Sequence, residues 1–164
     1  MDQVQNGEPY NYRPGEIAAA EEWFPPLVDR STVTLLAYGG TDRPVAYCVA
    51  RPVTGYPEAL AVAERLGMYS PDAEYLAELG VSAAQRRQGI ASTLLARAIE
   101  QRRSSAWVVR TLEINGPAIA LYQRHGFHLV PEVVQVHHGR ARVFLVRPDR
   151  TASRHRRAPH ESDS

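Results

Sequence analysis

A short loop between an apolar, strand-like segment and a helical pattern constrains the fold of this chain most. Residues 86–91 read Arg-Arg-Gln-Gly-Ile-Ala, and the pattern Arg86-x-x-Gly89-x-Ala91 is typical of a bend that wraps a pyrophosphate. Gly89 can adopt backbone angles that residues with a Cβ avoid, and the small Ala91 lets a ligand approach the chain closely. The amides of the following helix would point at the anion, which the helix dipole also favours. The loop therefore predicts a strand-loop-helix unit that binds phosphate.

A second pattern lies downstream and is typical of a capped helix. It reads Asn115-x-x-Ala118-x-x-Leu121-Tyr122-x-Arg124-x-Gly126-Phe127. Asn115 is a residue type that caps helix N-termini, and Gly126 is one that ends helices. The chain is thus expected to contain two loop-to-helix junctions in a defined order.

In order, spacing and intervening sequence, the two patterns resemble the GNAT superfamily of acetyl-CoA-dependent N-acetyltransferases. The resemblance is strong from about residue 74 to residue 127 and weak elsewhere. It implies an α/β fold in which a mixed, strongly twisted central sheet is flanked by helices. The sheet is expected to split like a V between the strands at 74–81 and 107–112, with the pantetheine arm of the cofactor in the split.

Composition predicts one soluble domain. A length of 164 residues fits the ~100–200 residues of a typical domain, so we expect an acetyltransferase domain at 1–150 and a disordered basic tail at 151–164. The net charge of +1 argues against nucleic-acid binding, which usually needs a basic face. No apolar run approaches the ~20 residues of a membrane helix, and residues 1–8 lack the plan of a secretion signal. We therefore expect a cytoplasmic protein.

Hydrophobic periodicity predicts the individual elements. Strands are expected at 33–38, 45–50, 74–81, 107–112, 127–136 and 142–146. Helices are expected at 13–24, 57–66, 90–99 and 115–125, the first of them ended by Pro25 and Pro26. The segment 55–72 interrupts the sheet pattern, and we interpret it as an excursion over the sheet edge that builds the acceptor pocket.

The resemblance implies which residues contact coenzyme A. Those around the pyrophosphate are Arg86, Arg87, Gln88, Gly89, Ile90, Ala91 and Ser92. Two of them have an alternative role, because Arg87 could be a solvated surface charge and Ser92 could simply cap the helix. Those along the pantetheine arm are Leu79, Gly80, Val81 and Asn115. An amide of the strand could also stabilise an oxyanion, and Gly80 either leaves room over the thioester or kinks the strand.

Tyr122 and Glu78 are the candidate catalytic residues. By family analogy the Tyr122 hydroxyl lies near the cofactor sulfur and protonates the departing thiolate, since a phenol with a reference pKa of ~10 is protonated at neutral pH; the alternative is a packing ring. Glu78 is the candidate base for the acceptor amine, and the alternatives are that it binds a cationic substrate or faces solvent. Strand alternation places Glu74, Leu76, Glu78 and Gly80 on one face, so Glu74 could assist through a water.

Other reactive side chains fit structural roles better. Cys48 lies in an apolar strand segment and is expected to be a buried thiol rather than a nucleophile. Arg110 stands where some peptide-acetylating relatives have a catalytic carboxylate, so their mechanism is not carried over. No ligand spacing completes a metal set, and no metal is assigned; the histidines considered were His125, His128, His137 and His138.

These observations predict an N-acetyltransferase that moves acetyl from acetyl-CoA to a primary amine by direct attack in a ternary complex. The expected partners are acetyl-CoA and an amine acceptor, of small-molecule or peptide origin, without nucleic acid or membrane. The sequence leaves a homodimer open. The alternative from another class is a catalytically silent CoA-binding or interaction module.

Overall fold

A six-stranded mixed sheet forms the centre of the computed structural model, which describes residues 25–149 except 41, 104 and 138. The strands are β1 (Val33–Tyr38), β2 (Pro44–Pro52), β3 (Glu74–Val81), β4 (Trp107–Leu112), β5 (His128–His137) and β6 (Arg140–Arg147). Their order in the sheet is β1-β2-β3-β4-β6-β5. The longer helices of this region are α1 (Pro57–Arg65), α2 (Ile90–Gln101) and α3 (Gly116–Arg124). The predicted α/β fold is confirmed.

The two ends of the chain lie outside the described residues. The helix expected at 13–24 and the tail expected at 151–164 are therefore not tested. Residues 25–29 are helical, and the helix that Pro25 and Pro26 are expected to end lies outside the described part of the chain.

The sheet splits between its two central strands. Among the described strands, only β3 and β4 pair in parallel, and their ladder joins Glu74–Leu76 to Trp107–Val109 alone. Beyond this point β3 stays paired with β2 as far as Val81, and β4 stays paired with β6. Residues 77–81 thus present one edge to a gap where a neighbouring strand would lie. The predicted V-shaped split is confirmed.

The helices cover the two faces of the sheet unequally. On one face, here called the α2 face, Leu94, Leu95 and Ala98 pack among buried strand residues that include Leu76 and Trp107. The opposite face, called the α1 face, carries the second cluster, in which the buried α1 residues meet side chains of the central strands: Ala59, Val62, Ala63, Tyr75, Val108 and Phe144. The segment at 55–72 therefore packs on a face of the sheet and not over its edge, because its helix is apolar along one side.

A β-bulge in β3 reverses the alternation of its side chains. Val49 of β2 lies opposite Glu78, whereas the next residue, Ala50, lies opposite Leu76, so Ala77 is an extra residue without a partner. Val49 belongs to the cluster on the α1 face that Ala77 also contacts, and cross-strand partners share a face. The prediction that Glu74, Leu76, Glu78 and Gly80 lie on one face is therefore wrong: Glu78 lies on the α1 face and Leu76 on the α2 face.

Glu74 anchors β3 to the end of α2. Its side chain is fully buried, Arg102 donates Nε–H to Oε1 over 2.6 Å, and the Thr32 hydroxyl donates to Oε2. Both carboxylate oxygens are thus used within the protein, and Glu74 is separated from Glu78 by the sheet. This position does not fit the water-mediated role predicted for Glu74 in proton transfer.

We expect Glu74→Gln to lower the free energy of unfolding by about 1.5–3 kcal/mol, because an amide loses one charge-assisted bond and turns a donor toward a donor. Thermal and urea unfolding measure the loss. The matched control is Glu100→Gln, which breaks an exposed pair with Arg103 and should cost less than about 1 kcal/mol. Equal unfolding midpoints for the two variants would contradict an anchoring role.

Candidate functional site

A cleft of about 1220 Å³ passes through the split in the sheet. From the α2 face it is lined by the loop at 85–92 and by α3, and from the α1 face by polar side chains of the strands. All of the predicted site residues line it except Gln88, which is exposed outside it. The residues brought together are Glu78, Leu79, Gly80, Val81, Arg86, Arg87, Gly89, Ile90, Ala91, Ser92, Asn115 and Tyr122.

The loop at 85–92, here called the anion loop, has the backbone geometry of an anion-binding site. Gly89 is the N-cap of α2 in the left-handed conformation, with φ 77° and ψ 1°, and Arg87 also has a positive φ of 63°. Thr93 donates the first helical bond, to the Gly89 carbonyl over 3.0 Å, so the amides of residues 90–92 remain available at the helix N-terminus. Alternating backbone conformations of this kind form concave amide sites for anions.

The side chains of this loop make different contacts. Arg86 donates Nε–H to the Val81 carbonyl over 3.2 Å and so ties the loop back to the end of β3. Arg87 is exposed at the mouth of the cleft. The Ser92 hydroxyl lies 2.8 Å from His125 Nε2, so it bonds α3 and does not cap α2, whose N-cap has no side-chain bond. Burial and the nearby Arg124 lower the pKa of His125, which favours a neutral ring at pH 7.

Asn115 caps α3 as predicted. Its Oδ1 accepts from the Ala118 amide over 3.2 Å, and its Nδ2 lies 3.4 Å from Thr111 Oγ1. The residue is buried yet borders the cleft. The cap thus fixes the start of the helix that carries Tyr122.

The end of α3 fixes the position of Tyr122. Gly126 has φ +82°, the Gly126 amide donates to the Gln123 carbonyl, and the Phe127 amide donates to the Tyr122 carbonyl. These two bonds form a Schellman motif. In this motif the residue three positions before the C-cap usually packs against the residue two positions after the C-cap. Here those residues are Tyr122 and Phe127, whose ring centroids are 5.8 Å apart. Tyr122 is therefore a packed ring that also borders the cleft.

On the α1 face, Glu78 has the properties of a proton acceptor near neutral pH. Desolvation raises its pKa from the ordinary carboxyl value to about 7, against the opposing effect of the Arg142 charge. The side chain keeps part of its surface in the cleft. The single cysteine of the chain has no comparable role, because burial raises the pKa of Cys48 to about 12 and a thiol in that state is a poor nucleophile.

Sequence reasoning missed a polar group around Glu78. Tyr56 and Tyr75 have ring centroids 4.1 Å apart, and the Arg51 guanidinium lies 5.5 Å from the Tyr56 centroid. Arg142 lines the same end of the cleft. Arg51, Tyr75 and Arg142 come from separate strands, and Tyr56 is the N-cap residue of α1. The four residues share no local spacing, although an arginine that alternates with apolar residues in β6 was a signal. Of the segment 55–72 predicted to build the acceptor pocket, only Tyr56 lines the cleft.

Within residues 25–149, apart from the gaps named above, no group of three or more His, Cys, Asp or Glu side chains could hold a metal ion. None of the helices in the described part of the chain has the length and hydropathy required to span a bilayer.

Several solved structures share this fold, and they include an N-acetyltransferase. A protein from Pyrococcus horikoshii OT3 aligns with a TM-score of 0.66 and 16% identity, over 90% of this chain and 84% of its own. The ribosomal-protein-alanine N-acetyltransferase from Brucella melitensis aligns with a TM-score of 0.60 and 19% identity, over 80% and 78%. The NatC complex bound to Gag peptide and CoA contains a chain that aligns with a TM-score of 0.56 and 19% identity, over 90% and 86%.

No curated protein matches the chain in sequence. The family described as the acetyltransferase (GNAT) family matches residues 3–127, which include both loop-to-helix junctions and the strands on either side of the split. With the split sheet and the anion loop on α2, the match shows that the chain belongs to the GNAT family of acyltransferases, which use acetyl-CoA.

Proposed function

We propose that the protein transfers acetyl from acetyl-CoA to a primary amine by direct attack in a ternary complex. The observation that carries the proposal is one cleft through the sheet, with the anion loop on the α2 face and Glu78 on the α1 face. Cofactor and acceptor would enter from opposite faces and meet at the gap between β3 and β4. Holding both reactants in one geometry removes much of the entropic cost of their reaction.

The cofactor half of the site consists mainly of backbone. The pyrophosphate would lie against the amides of residues 89–92, and the pantetheine arm would pair with the free edge of β3 at Leu79, Gly80 and Val81. Arg86 shapes the loop through its bond to Val81, and Asn115 borders the same channel. An amide of β3 directed at the thioester carbonyl would stabilise the oxyanion formed on attack.

Separate proton transfers take place at Glu78 and at Tyr122. Glu78 takes a proton from the ammonium form of the acceptor, and the amine nitrogen then attacks the thioester carbon to form a tetrahedral intermediate. That intermediate passes its second amine proton to water in the cleft and collapses, breaking the carbon–sulfur bond. The departing thiolate takes a proton from Tyr122, and solvent reprotonates Tyr122 and removes the proton from Glu78. The products are the N-acetylated amine and coenzyme A. The buried Cys48 thiol supplies no covalent intermediate.

The first prediction for this site concerns cofactor binding. Gly89→Asp should weaken acetyl-CoA binding at least ~10-fold, about 1.4 kcal/mol, because a carboxylate replaces open space beside the pyrophosphate. Calorimetric titration measures the affinity. The control is Gly67→Asp, which also has a positive φ and open space around the added Cβ but lies after α1, away from the cleft. Both variants should lose similar stability, and unchanged affinity in folded Gly89→Asp would refute the loop assignment.

A second prediction concerns the base. Glu78→Gln should lower kcat ~10²–10⁴-fold, and the acidic limb of the rate–pH profile near pH 7 should disappear, since Glu78 must be deprotonated to act. Turnover is followed as released thiol in the presence of a primary amine. Glu113→Gln removes an exposed loop carboxylate and should leave the limb in place. A change confined to the acceptor KM would make Glu78 a binding residue.

The same variant has an effect on stability that a surface carboxylate would not show. Because the folded pKa of Glu78 lies above its ordinary value, at about 7, the wild-type protein loses stability as the pH rises through that value. Glu78→Gln removes the buried charge and should unfold at a higher temperature than wild type at pH 8. Equal unfolding temperatures at pH 8 would contradict the desolvated state of Glu78.

A third prediction separates the hydroxyl of Tyr122 from its ring. Tyr122→Phe should lower kcat by ~10² or more with acetyl-CoA affinity retained, and the loss should shrink for thioesters with better leaving groups. Phe127→Leu disturbs the packing of the ring and keeps the hydroxyl, so it should lower stability without altering the dependence on leaving group. Equal losses for good and poor leaving groups would assign Tyr122 to cofactor positioning.

A further inference from the structure

The acceptor end of the cleft is strongly cationic. On and beside the α1 face its charged lining residues are Arg30, Arg51, Arg110, Arg142 and Glu78. Among the described lining residues, Glu78 supplies the only carboxylate, and burial favours its neutral form below about pH 7. An acceptor amine bearing further positive charge would therefore meet repulsion here.

Three of these arginines lie on different strands of the sheet. Arg51 of β2 lies opposite Tyr75 of β3, and Arg110 of β4 lies opposite Phe144 of β6, with its guanidinium 6.0 Å from that ring. Arg142 of β6 is the charge that most strongly opposes the rise in the pKa of Glu78. All three arginines thus extend from strands of the sheet, and the guanidinium groups of Arg51 and Arg110 also lie over aromatic rings.

Two of these arginines have a side-chain nitrogen without a hydrogen-bond partner in the described part of the chain. The Nε atoms of Arg51 and Arg142 are buried and have no hydrogen-bond partner, and Arg51 otherwise contacts the Tyr56 hydroxyl over a long 3.4 Å. Arginine stays charged in proteins, and both side chains line the cleft, where a bound anion would contact them. Its planar fork matches the paired oxygens of carboxylates and phosphates.

We propose that the acceptor is a small primary amine that also carries an anionic group, a carboxylate or a phosphate, bound by Arg51 and Arg142 while the amine lies at Glu78. The inference rests on the proposed acetyltransferase function and names its substrate class. Arg142 and Glu78 line the same cleft, so a compact acceptor would place its anionic group and its amine within that cleft together. The rings of Tyr56 and Tyr75 form an apolar wall beside the anion and suit a compact substrate.

The test compares acceptors in matched pairs by thiol release at saturating acetyl-CoA. For carboxylates, each amino acid is compared with its carboxamide. For phosphates, phosphoethanolamine and amino-sugar phosphates are compared with their unphosphorylated forms. Spermidine serves as a cationic acceptor for comparison. At least one anionic member should exceed its neutral partner ~10-fold or more in kcat/KM, mainly through KM, and the best pair identifies carboxylate or phosphate. The carboxamide's amine is less basic, so ionisation cannot produce that preference.

Two contrary results would overturn different parts of the proposal. Neutral or cationic amines acetylated as well as, or better than, anionic ones overturn the substrate class and leave the acetyltransferase function standing. Thiol release from no amine, with acetyl-CoA binding intact by calorimetry, instead overturns the proposed function and favours a silent CoA-binding module.

Substitutions of Arg142 and Arg51 test whether these residues bind the anionic group of the acceptor. Arg142→Leu and Arg51→Leu should raise the KM of the anionic acceptor ~10-fold or more, leave that of its neutral partner within ~2-fold, and keep acetyl-CoA affinity. Arg142→Leu should also move the acidic limb to higher pH, because Arg142 lowers the pKa of Glu78. Arg142→Lys should restore the limb but only part of the affinity. The control is Arg103→Leu, at an exposed position. Equal KM changes for both members of a pair would overturn the assignment.

Discussion

The separation of β3 from β4 after Leu76 is the constraint on which the rest of the structure depends. Two parallel strands that stayed paired would satisfy each other's backbone groups and close the sheet. Because the ladder stops after three residue pairs, the edge of β3 at 77–81 is left for another partner, and the two faces of the sheet become connected. The anion loop follows directly from this free edge, since β3 leads into α2 through Gly89.

The bulge at Ala77 gives the two sides of this opening different chemistry. Without the extra residue, Glu78 would lie with Leu76 on the apolar α2 face. With it, the carboxylate lies among Tyr56, Tyr75 and Arg142, while Leu79 and Val81 keep to the α2 face and pack near α2. One residue of register therefore separates the carboxylate and its polar neighbours from the apolar side of the opening, and bulges are common beside active sites.

The features that the sequence could predict were local. Strand bounds at β1, β3 and β4, the Asn115 cap and the left-handed Gly89 all follow from short patterns with a direct steric or hydrogen-bonding cause. The face of Glu78 could not be predicted, because a bulge depends on the partner strand. Arg51 and Arg142 were missed for a similar reason: they lie far apart along the chain, and only the strand order brings both to one cleft. The position of α1 on a face of the sheet was also not predicted, because it depends on burial of its apolar side against the sheet and not on local sequence.

The hydrogen bond between Ser92 and His125 links the helix that begins at the anion loop to the helix that carries Tyr122. Because His125 is the C-cap residue of α3, this bond joins the first turn of α2 to the end of α3, and neither helix end can be displaced without straining it. A substitution that removes the bond would therefore loosen the start of α2 and the end of α3 together, although the two residues lie 33 positions apart in the sequence.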